Sequence, residues 1–199
     1  MEVFEIKDHT LEYDDDTHTY LVDGIIVPSI TQILKVRFGG KYAGVDKDTM
    51  QRAAQRGTDI HKAIELYCRE QTESNYKELH NYKFLAKHHN FTVARNEVPI
   101  ILCKFGDPIA AGRLDLVLDM CNTGDKALAD IKTTSTLDKE YLAYQLNLYR
   151  LGYMQSYDEE ITKLYGVHLR DDKRKFVEIP INEGIAWDIV GEYERGKHE

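Results

Sequence analysis

The chain has 199 residues, 42% of them hydrophobic and 30% charged, and no apolar run approaches the roughly 18 residues of a membrane span, which argues against both disorder and membrane insertion. Its formal charge is −8, but residues 1–23 carry a net seven of those charges, so the rest is near neutral and a nucleic-acid partner is not excluded. The three cysteines, Cys68, Cys103 and Cys121, are odd in number, widely spaced and without a CxxC, which argues against a disulfide framework, structural zinc and an iron-sulfur cluster. The start "MEVFEIKDHT" resembles neither a secretory signal nor a transit peptide, so an intracellular, cytoplasmic location is expected.

In chain order, residues 1–27 alternate and are broken by "DDDT" and "VDG", predicting short strands or hairpins. "PSITQILKVRF" predicts a helix, a second begins near Asp48 and a third covers about residues 74–89. Gly57 inside the second helix costs about 1 kcal/mol against Ala, so it marks close packing or a helix break at Thr58. Two strands follow, "FTVARNEVPIIL" and "IAAGRLDLVLDM", then the turn "CNTGDK" and the strand "ALADIKTT". Strict alternation puts Leu114, Leu116 and Leu118 on one face, and Arg113, Asp115, Val117 and Asp119 on the other. "LDKEYLAYQLNLYRLGYMQSY" predicts a helix with Tyr141, Gln145, Tyr149 and Gly152 along one side. A closing hairpin around "DDKR" and a last helix with Trp187 in the core complete a single domain, 1–199, with an N-terminal strand extension over about 1–27.

Asp130 and Lys132 lie two apart in an otherwise small and apolar strand, so they project from the same side. A turn centred between Asn122 and Thr123 places Asp115 opposite Asp130, where two carboxylates repel unless a cation joins them. Asp115, Asp130 and the backbone carbonyl of Ile131 are oxygen donors suited to Mg²⁺; His61, one helical turn before Glu65, would add an imidazole and favour Mn²⁺ as the alternative. Lys132 would hold the attacking water or neutralise charge on a phosphoryl transition state.

The ordered set "RGTDIHKAIE", "EVP", "GRLDLVLD", "ADIKTT" and "QLNLYRLGY" resembles the PD-(D/E)XK nuclease superfamily in its RecB-like exonuclease branch, and "VPSITQIL" and the last helix resemble the mitochondrial genome maintenance exonuclease and related phage nucleases. The resemblance implies an α/β restriction-endonuclease-like fold with a central mixed sheet flanked by helices. It implies metal-dependent hydrolysis of DNA phosphodiesters by an exonuclease acting on single-stranded or frayed ends in replication, recombination or repair. One or two Mg²⁺ or Mn²⁺ ions would serve per site, without an iron-sulfur cluster, ATP motor or membrane. A phage origin would place it in the host cytoplasm, with phage or host recombination and replication proteins as partners. The alternatives are a flap or branch endonuclease and, in another class, a catalytically inactive DNA-binding module.

Residue by residue, the resemblance maps a helical histidine onto His61, the first strand acid onto Asp115, D-x-K onto Asp130 and Lys132, and Gln-x-x-x-Tyr onto Gln145 and Tyr149. Glu65 is a further catalytic candidate, with a helix ion pair to Arg69 as its plainer role. Glu97 is a supporting candidate. Ser29, Thr31, Arg37, Lys41, Arg56, Thr133 and Thr134 are candidate DNA contacts, against which helix capping and solvated charge are the plainer readings.

Overall fold

The computed structural model describes residues 1–42, 44 and 46–196. The N-terminal strands β1 (Glu2–Ile6), β2 (His9–Asp14), β3 (Thr19–Val22) and β4 (Ile25–Val27) form an antiparallel meander. Asp23 and Gly24, at φ 53° and 77°, make the tight turn into β4, the backbone that an Asp-Gly pair adopts readily. Alternate residues Leu11, Tyr13, Tyr20 and Val22 face inward and pack over Ile101 and Ala111 of the larger sheet.

Helix α1 (Ile30–Phe38) starts at Ser29, whose hydroxyl accepts from the Gln32 N–H while the Gln32 side chain accepts from the Ser29 N–H. This reciprocal cap satisfies two donors that a helix start leaves open. Helix α2 (Lys47–Glu70) begins at the Asp46 cap and runs unbroken through Gly57. A Cβ at Gly57 would lie 3.2 Å from Thr133 Oγ1, so the glycine serves close packing and no break occurs at Thr58. Helix α3 (Lys77–His89) follows and ends at the left-handed Asn90.

The larger sheet joins β5 (Phe91–Lys104), β6 (Asp107–Met120), β7 (Lys126–Lys132), β8 (Lys163–Arg170) and β9 (Lys173–Ile179) in that order. All neighbours are antiparallel except β7 and β8, which are parallel and therefore need the crossover supplied by α4 (Lys139–Tyr157). Helix α5 (Glu183–Gly196) closes the chain. One face of the sheet, with Val98, Ile100, Leu114, Val117 and Leu128, is covered by α1, α4 and α5. The other, with Leu116, Leu118, Ala127, Ala129 and Ile131, is covered by α2 and α3. No helix among the described residues is long and apolar enough to cross a membrane.

The β6–β7 hairpin pairs Leu116 with Ala129 and Asp119 with Lys126, the register expected from the turn. Strict alternation along β6 fails, however. Leu114 packs into the α4-side core with Val117, opposite to Leu116 and Leu118. The break falls at Asp115, where the β5–β6 ladder pairs Asn96 with Leu116 and Val98 with Leu114. Between them Glu97 sits at φ 50°, a left-handed conformation costly for a non-glycine residue. Trp187 is half-buried and packs against the α4-side core rather than within it.

Candidate metal centre

The predicted residues converge where β5, β6 and β7 meet the middle of α2. Asp115 Oδ2 accepts a hydrogen bond from the Ile131 N–H at 2.7 Å, so its carboxylate is fixed by the backbone of the neighbouring strand. His61 reaches across from α2: its Nε2 lies 3.0 Å from the Ile131 carbonyl oxygen and its Nδ1 3.6 Å from Asp115 Oδ2. Ile60 and Ile64, on either side of His61 along α2, are fully buried under the sheet, and this anchorage sets the reach of the imidazole.

Asp130 and Lys132 project toward the α4 side. Asp130 is 3% exposed, and its Oδ2 lies 2.6 Å from Lys132 Nζ. Apart from that ion pair, the oxygen accepts no hydrogen bond of good geometry. Lys132 Nζ also donates to Gln145 Oε1 at 2.8 Å, which ties the β7 lysine to α4. Tyr149, one turn beyond Gln145, is buried and packs so closely on Gly112 that a Cβ there would lie 2.9 Å from its ring. Gln145 thus touches the charged pair, while Tyr149 supports the packing behind it.

Glu97 joins the centre more closely than its sequence suggests. Donor atoms of His61, Glu97 and Asp115 all lie within 4.8 Å of one another, because the left-handed turn at Glu97 brings its side chain opposite Asp115. No periodicity or motif marks that turn; extending the β5–β6 register would have placed the two acids side by side. Asp130 stands outside this trio, its carboxylate taken by Lys132.

The charges explain one another. Burial pushes the Glu97 carboxyl up to about 8, with Asp115 adding to the rise and Arg113 opposing it. Burial likewise raises Asp130 to about 6, with Lys132 pulling down and Asp115 pushing up. For Lys132 burial alone would lower the pKa, but Asp130 and Asp115 outweigh it and hold the ammonium charged. The centre is therefore rich in carboxylates for the cation charge that the chain itself supplies.

Other candidates lie at varying distances from this centre. Glu65 is held by Lys62 and Arg69, each at 2.9 Å; burial raises its pKa but these two cations outweigh it, leaving it lowered. It shares a hollow of mixed charge with Glu97 and Arg113 rather than touching Lys132. Arg37 is bound to Glu192 and Tyr144, and Arg56 to Glu78 and Asp171, so internal partners engage both guanidinium groups. Ser29 is consumed by its cap. Thr133 and Thr134 accept through their carbonyls from Arg170 and His168, which fixes the segment after β7. Thr31, Lys41 and Thr134 line one cavity with Lys132.

No protein-family model matches the chain, and no curated protein matches it. Among solved structures, the crystal structure of SSO0001 is similar at 15% identity, with a TM-score of 0.49 over 87% of this chain and 77% of that one.

The donor set is chemically coherent. Asp115, Glu97 and the Ile131 carbonyl offer hard oxygens, and His61 offers one nitrogen, a mixture suited to Mg²⁺ or Mn²⁺ and poor for soft metals. Raised carboxyls and a buried Asp130 oxygen without a hydrogen bond fit a site that gains from a divalent cation. His61 and Asp115 would hold it first, with Glu97 and the Ile131 carbonyl beside them, while Asp130 stays with Lys132.

Proposed function

We propose that this protein is a divalent-metal-dependent deoxyribonuclease of the PD-(D/E)XK superfamily, RecB-like branch, acting as an exonuclease on single-stranded or frayed DNA ends. The observation that carries the reading is the convergence of His61, Glu97, Asp115, Asp130 and Lys132 at one end of β7, with the D-x-K pair in contact at 2.6 Å. The five-stranded mixed sheet with helices on both faces supports a restriction-endonuclease-like arrangement.

A bound Mg²⁺ or Mn²⁺ would polarise the scissile phosphate and lower the pKa of a water ligand. Lys132, charged and oriented by Asp130 and Gln145, neutralises the negative charge that grows on the phosphoryl oxygens as water attacks. Because Lys132 is held from two sides, little reorganisation accompanies that stabilisation. Asp115, locked to the Ile131 N–H, keeps one carboxylate oxygen in place for the cation. Hydrolysis adds water across the P–O bond, and the leaving oxygen takes up a proton.

The test is cleavage of end-labelled linear and covalently closed circular single-stranded DNA with Mg²⁺, Mn²⁺ or EDTA. The reading requires loss of the linear form alone, and only with metal. Cutting of circles would make the protein an endonuclease, and metal-dependent binding without cleavage of any DNA, flaps and duplexes included, would make it an inactive binding module.

A further inference from the structure

Beside the metal centre, on the α4 side of Lys132, lies a cavity of about 390 Å³ between α1, the first turn of α2 and α4. That is within the range of roughly 300–1,000 Å³ typical of small-molecule sites. Its walls are largely apolar. The Phe38 and Tyr141 rings meet there edge to face at 5.3 Å. Lys132 lines it from the catalytic side, its Nζ 5.6 Å from the centre of the Tyr141 ring. Lys35 and Thr31 line the α1 side, and Lys41 lines it paired with Asp138 at 2.6 Å, so the Asp138 carboxylate is offset by its own cation; among the described residues no carboxylate is ion-paired with Lys35.

We infer that this cavity seats one nucleotide of the substrate strand, the one adjoining the scissile phosphate, with its base against Tyr141 and its outer phosphate toward Lys35. Three features select this occupant. An apolar, aromatic wall suits a base face, which stacks without regard to sequence. A cation on the α1 side suits a phosphate, in a chain whose overall charge is −8. Continuity with Lys132 places any occupant beside the group proposed to act on the phosphate. The inference rests on the nuclease reading and deepens it by giving the proposed nuclease a subsite for one nucleotide beside Lys132.

The test is calorimetric titration of the whole protein in EDTA with deoxyadenosine 5′- or 3′-monophosphate, deoxyribose phosphate and inorganic phosphate. One of the nucleotide isomers should bind roughly tenfold or more tighter than deoxyribose phosphate, the gain expected of one base stacked on an aromatic ring. Tyr141→Phe keeps that gain and Tyr141→Ala loses it. Met50, 43% exposed at the cavity wall, provides a second variant that does not depend on core packing: Met50→Glu sets a carboxylate against the bound phosphate and weakens nucleotide binding about tenfold or more, with an unchanged melting temperature. Equal affinity of wild type for nucleotide and deoxyribose phosphate, or undiminished nucleotide binding by folded Met50→Glu, would overturn the inference. Because neither metal nor cleavage enters the measurement, a protein that binds the nucleotide but cuts no DNA loses only the nuclease reading. One that cuts DNA without distinguishing base from bare sugar loses only the seat.

Discussion

The Asp115 carboxylate accepts a hydrogen bond from the backbone N–H of Ile131 at 2.7 Å, so one side chain both closes the β6–β7 pairing and presents an oxygen to the candidate centre. Asp115→Asn retains an acceptor for that N–H but loses the charge. It should fold normally by circular dichroism while DNA cleavage falls at least about a hundredfold, the scale of losing a preorganised electrostatic group. Asp115→Ala should in addition lose about 1–3 kcal/mol in urea unfolding, because the Ile131 N–H is left without its partner. Full activity of the asparagine variant would remove Asp115 from the centre.

Lys132 and Asp130 form a buried pair, and this changes what their removal does. From sequence alone, alanine at either position is expected to stop cleavage and leave the fold untouched. With Asp130 3% exposed, Lys132→Met strands a carboxylate in the interior, a loss on the order of 3–5 kcal/mol at pH 8. The double variant Asp130→Asn/Lys132→Met should recover most of that stability and none of the activity. Urea unfolding in EDTA alongside cleavage assays separates the two roles, and a single Lys132→Met variant as stable as wild type would contradict the buried pair.

The raised carboxyls set a direction for pH. Asp130 at about 6 and Glu97 at about 8 bind protons more tightly in the fold than the unfolded chain does near 4. Their protonated forms therefore favour the fold. The contribution is complete below about pH 4 and is lost as pH rises through about 6 for Asp130 and about 8 for Glu97. In EDTA these groups should make the melting temperature fall between pH 5 and pH 9. Mn²⁺ should reverse the trend, since the ion binds the deprotonated set and stabilises by about 2.7 kcal/mol at a hundred times its dissociation constant. A melting temperature that ignores Mn²⁺ at pH 8 would count against the site.

Glu97→Gln isolates the acid that the sequence undervalues. The amide removes one of the crowded carboxylates, so the metal-free protein should melt higher than wild type at pH 9 and match it near pH 5. The stabilisation by Mn²⁺ should shrink in the same variant. Differential scanning calorimetry with and without the ion reads both effects, and an unaltered response to Mn²⁺ would exclude Glu97 as a donor.

These residues also mark where sequence reasoning reaches and where it stops. The hairpin around Asn122 was readable because a short turn fixes which residues face each other, and with it the approach of Asp115 to β7. The long periodic segment of α2 was readable through Gly57, with either packing or a break allowed; the contact with Thr133 decides for packing. Glu97 was readable as a supporting candidate but not as a member of the donor set, because a left-handed residue inside a strand has no compositional mark when it is not glycine. For the same reason Leu114 was placed on the wrong face. The ion pairs of Arg37 with Glu192 and of Arg56 with Glu78 join residues far apart in sequence, so their cations looked like available DNA contacts. Ser29, by contrast, carried its plainer reading openly in the Gln32 three residues on.

The parallel pairing of β7 with β8 through α4 has a consequence for how the protein comes into being. His61 leaves the ribosome early, but Lys132 meets Gln145 only once α4 has folded back, and β7 becomes an interior strand only when β8 lies beside it. Contacts between segments distant in sequence, such as His61 with Ile131, carry the largest loop-closure cost. The candidate centre, with Lys132 seated against Gln145 on an interior strand, is therefore incomplete until α4 and β8 have been made and have folded back.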